Sequence, residues 1–166
     1  GKLPVYQDEQ FRYLTEKLNG YITGAYIYNK MGLTEQVATT ITIATPNPVR
    51  RFRFKNLDIE CVKAYCMVYP DESLVPYLRL LDAIKDMKRI PGTTGQDIYN
   101  RVKSQYFNGY SLPELEKIVS LAKSYPPRVR KVVADILGDI RQTVLQTEMA
   151  KTILPTTRFN LDYKTA

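Results

Sequence analysis

The 166-residue chain contains no histidine. That absence excludes Ser/His and Cys/His nucleophile pairs, histidine-ligated zinc, and histidine as a general acid or base. It also lacks tryptophan and has two cysteines, Cys61 and Cys66, too few for a disulfide-stapled scaffold. Five apart in one extended segment, those thiols are expected roughly 16 Å apart on opposite faces, out of bridging reach. There is no CxxC, no Gly-rich phosphate loop and no dinucleotide fingerprint. The longest uncharged run, Gln36 to Val49, is threonine-rich and broken by Pro46 and Pro48, so no membrane-spanning helix is expected. The opening GKLPVYQDEQF does not resemble a signal peptide. Free thiols on a basic chain point to a cytoplasmic setting.

What is present is an ordinary globular balance, 44% hydrophobic and 25% charged, with 24 Lys+Arg against 17 Asp+Glu and a net charge of +7. Length and composition suit one domain, 1–166. It divides into a sheet-containing part (8–90), a helical part (91–150) and a tail (151–166). Phe11, Leu14 and Leu18 recur at helical spacing between Asp8 and Asn19. Thr23 is placed to cap a second helix reaching Met31, where Gly32-Leu33 fits a left-handed end. Gly20 and Gly24 form a GxxxG, but no apolar 20-mer surrounds it and the membrane-dimer use does not apply.

Thr39 to Thr45 is almost wholly β-branched and reads as a strand. After the Pro46–Pro48 turn, Val49 to Lys55 alternates, with Phe52 and Phe54 on one face. A second turn, Asn56 to Asp58, leads to a third strand, Ile59 to Val68. Two short turns predict a small antiparallel three-strand meander and an α+β fold. A helix from Ser73 follows with Pro76 in its first turn. Thr94 opens another, burying Ile98, Val102 and Tyr106. Ser111 and Glu114 form a capping box. From Arg128 a last long helix is expected to bury Val129, Val132, Val133, Ile136, Ile140 and Val144.

The candidate functional residues are basic. Arg51, Arg53 and Lys55 share one strand face, with Arg50 adjacent and Lys63 on the neighbouring strand. Their spacing of ~6.8 Å is close to that of successive phosphates; a solvated outer sheet face is the plainer explanation. Arg128, Arg130 and Lys131 open the last helix, where positive charge opposes the helix dipole. A metal nuclease fits poorly: Asp58 and Glu60 would need a lysine two residues on, whereas Lys63 is three beyond Glu60 and faces the other side. Asp82, Lys85 and Asp86 read as surface pairs on a polar helix face. Thirteen tyrosines is a high count, and most are expected to bury the ring and wet the hydroxyl. No catalytic residue, metal ligand or cofactor is assigned.

Four segments, in order, resemble the AbiEi-type antitoxins of bacterial abortive-infection toxin–antitoxin systems. They are GYITGAYIYNKMGLTEQVATTITIATPNPVRRFRF (20–54), LLDAIKDMKRIPGTT (80–94), SLPELEKIVSLAKSYPPRVRKVVADILGDI (111–140) and LPTTRFNLDY (154–163). The resemblance implies a non-catalytic antitoxin that neutralises a nucleotidyltransferase-like toxin without needing to touch it. It also implies autoregulation through operator DNA, read chiefly by a winged helix-turn-helix preceding this region. Residues 8–31 are too short to be that element, so a DNA-binding domain is expected upstream of Lys2. The alternative is a stand-alone basic module that binds nucleic acid or an acidic protein.

Overall fold

The computed structural model describes residues 5–66, 71–159 and 163. The fold is α+β. In chain order it runs α1 (Val5–Leu18), β1 (Tyr21–Thr23), α2 (Ala25–Lys30), β2 (Thr40–Thr45), β3 (Phe52–Phe54), β4 (Leu57–Lys63), α3 (Val75–Lys85), α4 (Gly95–Gln105), α5 (Leu112–Ala122), α6 (Pro127–Asp139) and α7 (Thr143–Ala150).

The sheet differs from the expected antiparallel meander. It has four strands in the order β1-β2-β4-β3, with β2 and β4 parallel and both edges antiparallel. β2 and β4, the two longest strands, take the centre and set Ile41 beside Ile59 and Ile43 beside Cys61. The charged β3 falls to an edge, where Arg and Lys discourage further pairing. Pro46 and Pro48 lack N–H groups, and the chain leaves the sheet there instead of turning back along β2. The third strand begins earlier than expected, at Leu57, and ends earlier, at Lys63: Ala64 to Cys66 are not strand, and Met67 and Val68 lie outside the described residues.

The strand the sequence reading omits is β1. Thr23, expected to cap α2, is its last residue; Gly24 caps instead, at φ +81°. The far end of α2 closes as expected. Gly32 is left-handed (φ +78°), the Leu33 amide donates to Tyr28 O at 2.9 Å, and Leu33 is fully buried.

One apolar cluster runs through sheet and helices, and α3 is its hub, packing on β1, α4, α5 and α6. Leu80, Leu81, Ile84, Ile98, Val102, Ile118, Val132 and Ile136 are essentially inaccessible. Tyr106 is only half-buried and donates its hydroxyl to Met31 O. The expected single last helix is two. Arg141 turns left-handed (φ +65°), and the Gln142 amide donates to Leu137 O at 2.8 Å, closing α6. The chain then folds α7 back along α6, close enough for Gln146 to lie over Gly138. Leu145 and Met149 are thereby buried, Ile140 is half-buried, and Val144 is 81% exposed where burial was expected.

The α5 capping box forms as read: Ser111 Oγ accepts from the Glu114 amide, and the Glu114 carboxylate accepts from the Ser111 amide at 3.0 Å. Ser111→Ala is expected to lower the thermal midpoint by about 2–4 °C, measured by circular dichroism.

Candidate functional site

Strand β3 carries the basic residues outward. Pairing of Arg53 with Asp58 across the β3–β4 ladder puts both on one face, with Phe52, Phe54, Leu57 and Ile59 on the other. The Arg51 and Arg53 side chains are 67% and 68% exposed. Each faces a carboxylate of β4: Arg51 lies 4.0 Å from Glu60, and Arg53 lies 3.7 Å from Asp58. Ion pairs this exposed contribute about 0–1 kcal/mol, so an incoming carboxylate or phosphate exchanges for them at little cost. Asp58 and Glu60 are thereby turned to arginine. Among the described residues no cluster of three or more acidic or thiol side chains is placed to hold a metal.

Two members of the expected row stand elsewhere. Lys55 sits in the β3–β4 turn at φ +55° and lays its ammonium 5.7 Å from the Phe54 ring centroid. Lys63 lies level with Thr45, two steps of the pleat beyond Ile59, and therefore faces the side away from Arg53. Arg50 is exposed beside the strand. The Phe54 ring stacks on half-exposed Tyr13 of α1 at 5.5 Å and 14°, with Lys17 5.6 Å from the Tyr13 ring. The strand is thus flanked by an aromatic pair with a lysine at each end.

The second basic cluster is turned mostly inward. Arg130 Nε donates to Tyr125 O at 3.1 Å and its Nη1 donates to Thr152 O, tying α6 to the segment after α7. Lys131 pairs with Asp135 at 3.1 Å, one helical turn on. Arg128 is half-buried and one of its Nη groups is out of reach of water. Arg130 and Lys131 thus brace α6.

The most elaborate polar construction is internal. Asp82, 3% exposed, accepts from Tyr21 Oη (2.7 Å), Thr23 Oγ1 (2.8 Å) and Tyr125 Oη (2.7 Å). One turn later Asp86 accepts from Tyr28 Oη at 2.7 Å and lies 3.7 Å from Lys85. The arrangement recurs on α6: Asp135 accepts from Tyr163 Oη at 2.7 Å, and Asp139 accepts from Tyr99 Oη at 2.6 Å. Burial pushes the Asp82 carboxyl above the usual carboxylate range, while the three hydroxyls and Lys85 pull it back. Tyr21, Tyr28, Tyr99 and Tyr125 are all raised, first by burial and then by their aspartate partners.

Asp82 is therefore not on a polar helix face. An acid embedded among apolar residues, as in LLDAI (80–84) and VADIL (133–137), is the sequence signal for both sites, and the tyrosine count is its counterpart. Among the described residues no helix is long and apolar enough to cross a membrane. Comparison of the chain with known protein families, with curated proteins and with solved structures finds no match.

Proposed function

We propose that the chain is the antitoxicity-bearing, non-catalytic domain of an antitoxin from a bacterial abortive-infection system, and that it works by docking. Reading of operator DNA falls, on this proposal, to a winged helix-turn-helix ahead of it. The family likeness of the four segments suggests the biology. The observation that carries docking is the distribution of charge. Asp82 and Asp135 are buried on tyrosine hydroxyls, whereas Arg53 on an edge strand and Arg51 just ahead of it stand two-thirds exposed. Acids held inside leave the surface more positive than composition alone implies.

The test is co-expression with the nucleotidyltransferase-like toxin encoded beside it. The chain is expected to restore growth, and the Arg51→Gln/Arg53→Gln double variant is expected to fail. That variant should fold normally, because exposed pairs of this kind hold at most about 1 kcal/mol. No rescue by the unaltered chain would overturn the antitoxin reading; full rescue by the double variant would overturn the surface.

The Tyr13–Phe54 stack with Lys17 and Lys55 favours a second reading, a single-strand nucleic-acid binder with no toxin partner. Bases stack on exposed rings, and neighbouring lysines hold phosphates. On that reading Tyr13→Ala costs about 1–3 kcal/mol of RNA binding. Arg51→Glu/Arg53→Glu flattens its salt dependence. Fluorescence anisotropy with a uridine oligomer at two salt concentrations measures both effects. Absence of salt-dependent binding would dispose of it.

A further inference from the structure

A cleft of about 560 Å³ opens where α1, β1 and the start of α3 meet the end of β2 and the residues just after β4. That volume suits a small molecule. Phe11, Ile22, Ala64 and Leu78 supply apolar wall, and two arginines line it, Arg12 from α1 and Arg79 from α3. Arg79 is the unusual one. It is partly buried, and burial weakens its hold on its proton. Its Nε donates to Ile22 O at 2.8 Å, which orients the guanidinium, and among the described residues its Nη groups have no hydrogen-bond partner.

Among the described residues no carboxylate lies within ion-pair distance of Arg79 or Arg12. Asp82, whose field reaches Arg79, has Oδ2 occupied by Tyr21 and Thr23 and Oδ1 by Tyr125. A partly buried cation with no carboxylate in contact, helped only by the more distant Asp82, favours a further anion against it. A guanidinium pinned at Nε presents two parallel donors, which match a carboxylate or phosphate.

We propose that this cleft binds a small organic anion, an apolar or aromatic body bearing one phosphate or carboxylate, with its head on Arg79 and Arg12. The acids of the lining narrow the class further. Glu16, Asp71 and Glu72 also line the cleft; Glu16 and Glu72 are exposed, and Asp71 is turned onto the Ser73 amide at 3.0 Å. These acids repel polyanions and leave room for a single charged head. The site does not depend on the antitoxin reading, and its failure would leave that reading untouched.

The test titrates the 166-residue chain with 1-naphthyl phosphate, 1-naphthoate and 1-naphthol, followed by amide chemical shifts. At least one of the two anions is expected to bind saturably, shifting Ile22, Ala64 and Leu78, with the neutral naphthol about tenfold weaker. The tighter anion identifies the head group. Arg79→Met is expected to abolish the preference for the anion over naphthol. Arg12 is exposed, so Arg12→Ala folds whatever becomes of the first variant, and it is expected to weaken the preferred anion several-fold. Shifts that fall outside the cleft, naphthol binding as tightly as the anions, or anion binding unchanged in Arg12→Ala would each overturn the proposal.

Discussion

Replacing Asp82 by alanine is expected to destabilise the chain by roughly 3–5 kcal/mol, with a fall in thermal midpoint of about 10–15 °C. The aspartate joins three elements: β1 through Tyr21 and Thr23, α3 through its own backbone, and the turn before α6 through Tyr125. Truncation takes the acceptor from three hydroxyls: Thr23 is buried, Tyr125 keeps only its longer contact to Leu78 O at 3.3 Å, and Tyr21 is half-buried; a buried group left unsatisfied costs about 1–3 kcal/mol. Relief of the buried charge offsets part of that sum, which sets the lower figure. Urea unfolding is the measurement. A loss below about 1 kcal/mol, typical of a surface position, would mean the network is incidental.

Asp82→Asn separates charge from shape. It keeps the volume and one acceptor oxygen but sets an N–H₂ against a hydroxyl. Because burial raises the Asp82 carboxyl, the folded chain holds that proton more tightly than the unfolded chain. Its contribution to folding is therefore largest below the ordinary carboxylate range and declines as pH rises through the raised value. The stability of the native chain relative to Asp82→Asn should fall with pH over that window. Glu114 has the opposite sign. Its carboxyl is held low, first by the Ser111 amide and then by the Tyr77 hydroxyl, so its contribution is present at neutral pH and lost in acid. Comparing the two variants of the same protein cancels the Glu114 effect. A difference that stays constant from acid to neutral pH would show that Asp82 does not titrate in the fold.

Local chemistry explains which elements were legible in the sequence. Ser111 with Glu114, Thr94 with the Asp97 amide, and Gly32 with Leu33 act within a few residues, and each forms as its spacing indicates. Sheet order is not local. Ile41 and Ile59 belong together because both are apolar and need a buried partner, a preference that turn lengths do not carry. β1 has three residues, too few for a period of two to register, and its partner lies some twenty residues on. The break between α6 and α7 rests on Arg141 in a conformation usually taken by glycine, so the sequence carries no stop signal there. The basic face was legible as alternation, but its neutralising partners were not. Asp58 and Glu60 oppose the arginines only once the β3–β4 register is known. The same holds for the tyrosines: their number was plain, while the distant aspartates that take their hydroxyls were not.

Gly20→Ala is expected to destabilise the chain by about 3 kcal/mol, the upper end for overpacking, through a different first step from the loss of Asp82. A Cβ at residue 20 would lie 2.2 Å from the carbonyl oxygen of Ala44 and 3.0 Å from Ile43 Cγ2. The first contact is with backbone, which has no rotamer to swing aside, so β1 must draw away from β2. Its pairings from Tyr21–Ala44 to Thr23–Thr42 then weaken together, and the Tyr21 and Thr23 hydroxyls move off Asp82. Gly24 makes the same kind of approach from the other end of the strand, at φ +81°, with Thr42 Cβ 2.6 Å from where a side chain would begin. The GxxxG spacing therefore serves a three-residue strand seated between two close contacts with β2. If that is so, Gly20→Ala and Asp82→Ala damage the same junction, and the double variant should lose less than the sum of the single losses. Simple additivity in urea unfolding would mean that β1 stays on Asp82 after it leaves β2. A Gly20→Ala protein within about 1 kcal/mol of the native chain would place β1 farther from β2 than a 2.2 Å clash allows.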